Sequence, residues 1–258
     1  MATKPKTLRP IPPNAGVEAA YRRALRDLLA QVQADVLNEL RPVYRRHGMA
    51  TDASLPDSIR RMFGRLATGW RKKLDALGPE VAAIFAKGAT SHTDKAMMAA
   101  LRKAGFTVRF QFSERQQAAY QAVLGENVGL ISSLALEQLH DIEQAVWRSV
   151  SAGHDLATLS SHLQHVHEMT RKRADLIARD QNAKAKASIE QARRLDLGIT
   201  QAIWQHSTAG KHPRPSHVAA SGKTYDIDKG MYLDGEWVLP GQAINCRCTS
   251  RAIIPGID

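Results

Sequence analysis

From Val17 the apolar positions fall at Val17, Tyr21, Leu25, Leu28, Val32, Val36 and Leu40. Steps of three and four make one helical stripe. Pro42 stands just beyond it and disfavours continuation. A second stripe runs Ile59, Met62, Phe63, Leu66, Trp70, Leu74 and Leu77. Gly78-Pro79 predicts a stop there, with Pro79 opening a further helix to about Lys103 and a break near KGATSHT. Phe106, Val108, Phe110 and Phe112 then alternate with Thr107, Arg109 and Gln111. Period two predicts an extended segment or a short strand.

Ser113-Glu-Arg-Gln116 reads as a capping box opening another helix. Its apolar positions include Val128, Ile131, Leu134, Ile142, Val146 and Val150, and Gly153 is the expected stop. HDLATLSSHLQHV predicts a short helix, and the run from Thr170 a long one closed by Gly198. Beyond Gly198 the pattern changes to short β-prone pieces, ITQAIWQHS, KTYDI and EWVLP, broken by Gly, Pro and Asp. The expected fold is mostly α: an extended helical N-terminal part with a small α+β C-terminal module. The expected organisation is a flexible basic arm at 1–15, a helical body at 16–198 and a tail module at 199–258. No fixed-period repeat is present.

Aromatic residues are only 5% of the chain, which favours helices over sandwiches and barrels. No apolar run approaches the length of a transmembrane helix. The start, MATKPKTLRPIPPNAG, has no apolar core of signal-peptide type, so the chain is expected to be made in the cytoplasm and not exported by that route. The net charge is +11. Residues 199–258 carry six Lys/Arg against five Asp/Glu, which leaves 30 against 20 in residues 1–198. An excess of this size attracts polyanions in a salt-dependent way. Arg22, Arg23 and Arg26, together with Arg171, Lys172 and Arg173, are the candidate nucleic-acid contacts. The alternative is a helical protein with many arginines on its wet faces.

No phosphate-binding loop, G-x-S-x-G or H-E-x-x-H motif occurs. His154, His162, His165 and His167 lie near one another, but no carboxylate or cysteine completes a ligand set, and a solvated face is the expected reading. The tail is richer. KHPRPSH supplies His212, Arg214 and His217, and INCRC supplies Cys246 and Cys248, the only two cysteines. Two His and two Cys complete the tetrahedron of a structural zinc site, with His212, His217, Cys246 and Cys248 as candidate ligands. C-x-C is a tighter bite than the usual C-x2-C. A disulfide at this separation would be strained. The alternatives are thiols that pack as small apolar groups, or redox or nucleophilic chemistry. Arg214 and Arg247 are the guanidiniums expected to make buried, charge-assisted hydrogen bonds.

One combination is specific. Ile177-Ala178-Arg179 opens a helix rich in small residues, and Gly198-Ile199 steps into a strand carrying Trp204. Arg214-Pro215-Ser216-His217 is followed by Gly222, and Pro240-Gly241 precedes Asn245-Cys246-Arg247-Cys248. In this order the residues resemble the phage head morphogenesis family, the minor head proteins of the Mu F type, over roughly residues 125–253. The chain departs from that pattern in having Asp180 after Arg179 and AGKHP before the R-P-x-H segment. The resemblance implies a virion protein of the phage head or neck, acting in head morphogenesis near the portal, without enzymatic activity. The implied partners are the portal protein, the major capsid or scaffolding protein and packaged double-stranded DNA, with no membrane in the assembled head. It also implies a compact tail in which Arg214, His217, Asn245, Cys246, Arg247 and Cys248 form a structural motif. Two other functions compete: a nuclease or hydrolase built on the His/Arg/Cys module, and a plain nonspecific DNA-binding protein.

Overall fold

The computed structural model describes residues 6–47, 54–152, 156–208 and 212–255. Four long helices come first: α1 (Ala15–His47), α2 (Ser54–Lys103), α3 (Glu114–Ser151) and α4 (Leu156–Asp196). They are followed by β1 (Gln201–Gln205), α5 (Pro215–Ala220), β2 (Thr224–Asp226), β3 (Met231–Leu233), β4 (Glu236–Val238) and β5 (Thr249–Ala252). The chain is thus mostly α, with strands confined to its C-terminal quarter, as the patterning predicts.

The helices are longer than the punctuation suggests. Pro42 lies inside α1 and Pro79 inside α2, and no break occurs at KGATSHT. Both prolines are exposed, so the carbonyls they release can bond water. Burial on either side holds the helix together: Leu74 and Ala82 are in the core, and Gly78 lies close to Val128 and Ser132. The short helix and the long one expected after Gly153 are a single helix, α4, in the described residues; Gly153 and His154 lie outside them. Half of the predicted capping box forms. Ser113 Oγ accepts the Gln116 backbone N–H at 3.0 Å, while the Gln116 side chain donates to the Ile189 carbonyl at 3.1 Å. Residues 106–112 form no strand.

The compact units cut across the expected 198/199 boundary. One comprises residues 20–82 and 126–177, the other residues 1–19, 83–125 and 178–258. The first is a helical bundle. The stripe from Tyr21 to Leu40 and that from Ile59 to Leu74 are buried in it, with Ile131, Leu134, Ile142 and Val146. Tyr21 donates to Asn127 across α1 and α3 at 2.8 Å, and Arg26 binds Asp175 across α1 and α4 at 2.8 Å.

The second unit holds the C-terminal module. Its sheet has the order β2-β1-β5, all antiparallel, and β3 and β4 form a separate hairpin. Trp204 on β1 is fully buried among Leu8, Ile11, Met97, Leu101, Tyr225 and Ile254. Residues 6–13 are therefore docked rather than a free arm: the Leu8 N–H donates to the Ala252 carbonyl at 2.9 Å, and Thr7 bridges Ile253. The physical reason is apolar. Leu8 and Ile11, unremarkable among prolines in the sequence, cover a core that the helix ends and the sheet leave open.

Candidate functional site

The site is built on α4, whose second half is buried on nearly every side. Ala178, Ala183, Ala185, Ala187 and Ala192 are small enough for backbone to approach closely, and Ile189 fills the remaining core. Gly241 shows the closeness. Its φ is +98°, and a Cβ there would stand 3.3 Å from the Ala183 carbonyl and 3.7 Å from Ala187 Cβ. Pro240-Gly241 is thus the point where the C-terminal strand region rests on the helix.

The buried charged residues Lys186, Glu190, Arg193 and Arg194 of α4 are paired. Arg194 donates to Ser250 Oγ at 2.7 Å and to the Ser250 carbonyl at 3.2 Å, and it pairs with Glu190. Lys186 donates to the other Glu190 oxygen at 3.1 Å. All three charged side chains are at most 4% exposed. Arg193 holds Asp94 with two nitrogens, at 2.8 and 2.7 Å, and donates to the Gln111 carbonyl at 2.6 Å. Arg193 and Arg194 are the buried guanidiniums among the described residues. Arg214 and Arg247, expected in that role, are both exposed.

Around the C-x-C turn the separated motifs meet. Asn245 sits at φ +60°, a left-handed conformation that Asn tolerates better than most residues. Its N–H donates to Asp180 Oδ1 at 2.9 Å, and its side-chain oxygen accepts from Arg179 Nη2 at 2.7 Å. Arg214 donates to the neighbouring Ile244 carbonyl at 2.8 Å. Asp180 is the acceptor that fixes the turn.

The run from Cys246 to Cys248 then extends into β5. Side chains two apart on an extended chain point the same way. Cys246 and Cys248 are buried and Arg247 between them is exposed. Both cysteines are free thiols. His217, buried on α5, brings Nδ1 to 3.4 Å from Cys246 Sγ and 3.7 Å from Cys248 Sγ. Its ring meets Trp204 edge-on, with centroids 5.2 Å apart. His206, the residue after β1, places Nδ1 3.7 Å from Cys248 Sγ.

The neighbouring Cys248 draws Cys246 below the ordinary thiol range against the opposing effect of burial; backbone donors at Cys248 and Gly241 and the His217 ring assist. Cys248 is pushed correspondingly up, because the neighbouring Cys246 and burial both disfavour its thiolate. Cys246 and Cys248 line a cavity of about 260 Å³ together with His206, His212 and Arg214.

Of the residues singled out in the sequence, Arg214, His217, Asn245, Cys246 and Cys248 come together here, and Arg247 lines the cavity beside them. His212 is exposed and outside the cluster of metal-ligating atoms, which among the described residues is His217, Cys246 and Cys248. His162, His165 and His167 form no such cluster. Arg22 and Arg26 both reach Asp175, and Arg173 pairs with Glu137, while Arg23, Arg171 and Lys172 are exposed. Sequence reasoning missed His206, Arg179 and Asp180 as parts of the site. His206 carried a signal, since it directly follows β1, the β-prone piece that carries Trp204.

Residues 140–251 match the family described as phage Mu protein F like protein. An uncharacterized protein of Haemophilus influenzae is 30% identical over 137 residues, which are 53% of this chain and 29% of that relative. The chain thus spans under a third of that relative's length. No solved structure matches.

Proposed function

We propose, taking the Mu F-like region at 140–251 as the premise, that the chain is a minor head protein of a phage, acting in head morphogenesis near the portal. One observation carries the reading. The motif pieces of that region, distant in sequence, are one structural unit: Arg179 and Asp180 on α4 hold Asn245, and Arg214 holds the carbonyl beside it. A scaffold locked by backbone-directed hydrogen bonds suits a protein whose work is to present a surface during assembly. The described residues contain no helix long and apolar enough to cross a membrane. The portal protein and the major capsid or scaffolding protein are the proposed protein partners, and the phage head or neck the proposed location.

Contact with packaged DNA is the second part of the proposal, and the charge distribution favours it. The unit of residues 1–19, 83–125 and 178–258 holds 20 Lys/Arg against 11 Asp/Glu, whereas residues 20–82 and 126–177 hold 16 against 14. The positive excess thus belongs to the unit carrying the Mu F-like motifs rather than to the bundle bearing Arg22, Arg23 and Arg26. Phosphate binding needs such charge and no base-reading element.

Deleting the gene from a phage carrying it tests the assembly role. The expected result is defective heads, with restoration by the wild-type copy. Normal, infectious particles would contradict it. A nuclease assay on the purified chain with divalent metals present separates the enzymatic alternative: specific cleavage, lost on His217→Ala, would favour that alternative.

A further inference from the structure

We propose that His217 Nδ1, Cys246 Sγ and Cys248 Sγ bind a zinc ion and that His206 Nδ1 closes the fourth position. The inference does not depend on the role in head assembly.

Three features of the fold converge on this point. The C-x-C run is extended, which places both sulfurs on one face. The β1–β5 register pairs Gln205 with Thr249, so one step further sets His206 opposite Cys248. Helix α5 then brings His217 over both sulfurs. The ligand atoms of His217, Cys246 and Cys248 all lie within 4.8 Å of one another.

The separations suit the ion. Zn–S of about 2.3 Å and Zn–N of about 2.0–2.1 Å set the S···N edge of a regular tetrahedron at about 3.6 Å. The two distances to His217 Nδ1 are 3.4 and 3.7 Å, and His206 Nδ1, outside that three-residue cluster, stands 3.7 Å from Cys248 Sγ. Two nitrogens and two sulfurs in a tetrahedral arrangement favour zinc over metals that prefer planar or octahedral oxygen-rich sites.

The surroundings are those of metal-bound sulfur. Backbone N–H groups at Gly241 and Cys248 point at Cys246 Sγ, and one at Ser207 points at Cys248 Sγ. The fully buried Trp204 indole N–H faces the Cys248 sulfur. Donors of this kind hold ligands in place and stabilise charge on them. His212, offered by the sequence as a ligand, is exposed on the cavity lining, and His206 takes its place. With four protein ligands the site is closed and therefore structural: it ties the end of β1, α5 and the entry to β5 together.

The test uses the full-length chain, expressed with zinc and purified without chelator. Elemental analysis is expected to give one zinc per chain. Cobalt added to the metal-stripped chain is expected to give the visible bands of tetrahedral Co²⁺ and near-ultraviolet thiolate charge-transfer bands. His206→Ala is expected to weaken zinc binding at least about tenfold in competition with a chromophoric chelator, and His212→Ala to leave it unchanged. Substoichiometric metal together with no tetrahedral cobalt spectrum in the wild-type chain overturns the site. A loss with His212→Ala and none with His206→Ala overturns the fourth ligand. The cobalt titration needs no variant, so a variant that fails to fold does not blunt the test.

Discussion

Replacing Glu190 by alanine removes the one carboxylate that serves both Lys186 and Arg194. Each cation is 3% exposed, so neither can turn to water without opening the interface of α4 with β5. Breaking a buried pair by deleting one partner costs about 3–5 kcal/mol, because a charge is left uncompensated. Two cations depend on Glu190, but Arg194 keeps its two bonds to Ser250, which limits the second cost. The expected total is thus about 3–5 kcal/mol, within the second unit. Ser250→Ala is the lesser perturbation, removing one hydrogen bond to a charged group at about 1.5–3 kcal/mol. Hydrogen exchange followed on peptides spanning β5 reads the difference directly. At about 1.4 kcal/mol per tenfold, Glu190→Ala should speed exchange there by roughly a hundredfold to a few thousandfold, up to the limit set by the unit's own stability. Exchange less than tenfold faster would refute the view that this network pins the C-terminal sheet to α4.

Asn245→Ala should destabilise the second unit by about 1–2 kcal/mol more than Asn245→Gly in thermal or chemical melts, since both lose the Arg179 bond but only alanine strains at φ +60°. Equal losses would mean the side-chain bond alone matters. A chain ending at Gly198 should be insoluble or lack a cooperative melt, because it strips Leu8, Ile11, Met97 and Leu101 of their cover; a soluble, cooperatively folded 1–198 would restore the boundary read from the sequence. Nonspecific duplex DNA binding should fall steeply between about 50 and 200 mM salt. Neutralising Lys6, Arg9, Arg247 and Arg251 should weaken it more than neutralising Arg22, Arg23 and Arg26, and the reverse order in a filter-binding assay would return the contact to the bundle.

The helical stripes were legible because period and burial agree: each of Tyr21, Leu25, Leu28, Val32, Val36 and Leu40 is in the core. Where the reading failed, a long-range contact outweighed a local signal. Pro79 speaks for a helix stop, yet it costs one hydrogen bond in a helix held by packing on both sides. Leu8 and Ile11 have no periodicity at all, and only the open core at Trp204 and β5 gives them a place. At the site, His217, Cys246 and Cys248 stood out by residue type. His206 did not, because its proximity to Cys248 is a consequence of strand register. Arg193 and Arg194 looked like ordinary cations of a helix end, since nothing local reveals that Asp94 and Ser250 wait opposite them.

The most direct test of the account is the protein composition of purified, DNA-filled particles of a phage carrying the gene, measured by quantitative mass spectrometry. The account predicts that the chain is present at low copy relative to the major capsid protein and stays with heads after tails are removed. Its absence from mature particles, with the chain found only free in the lysate, would contradict the reading as a minor head protein.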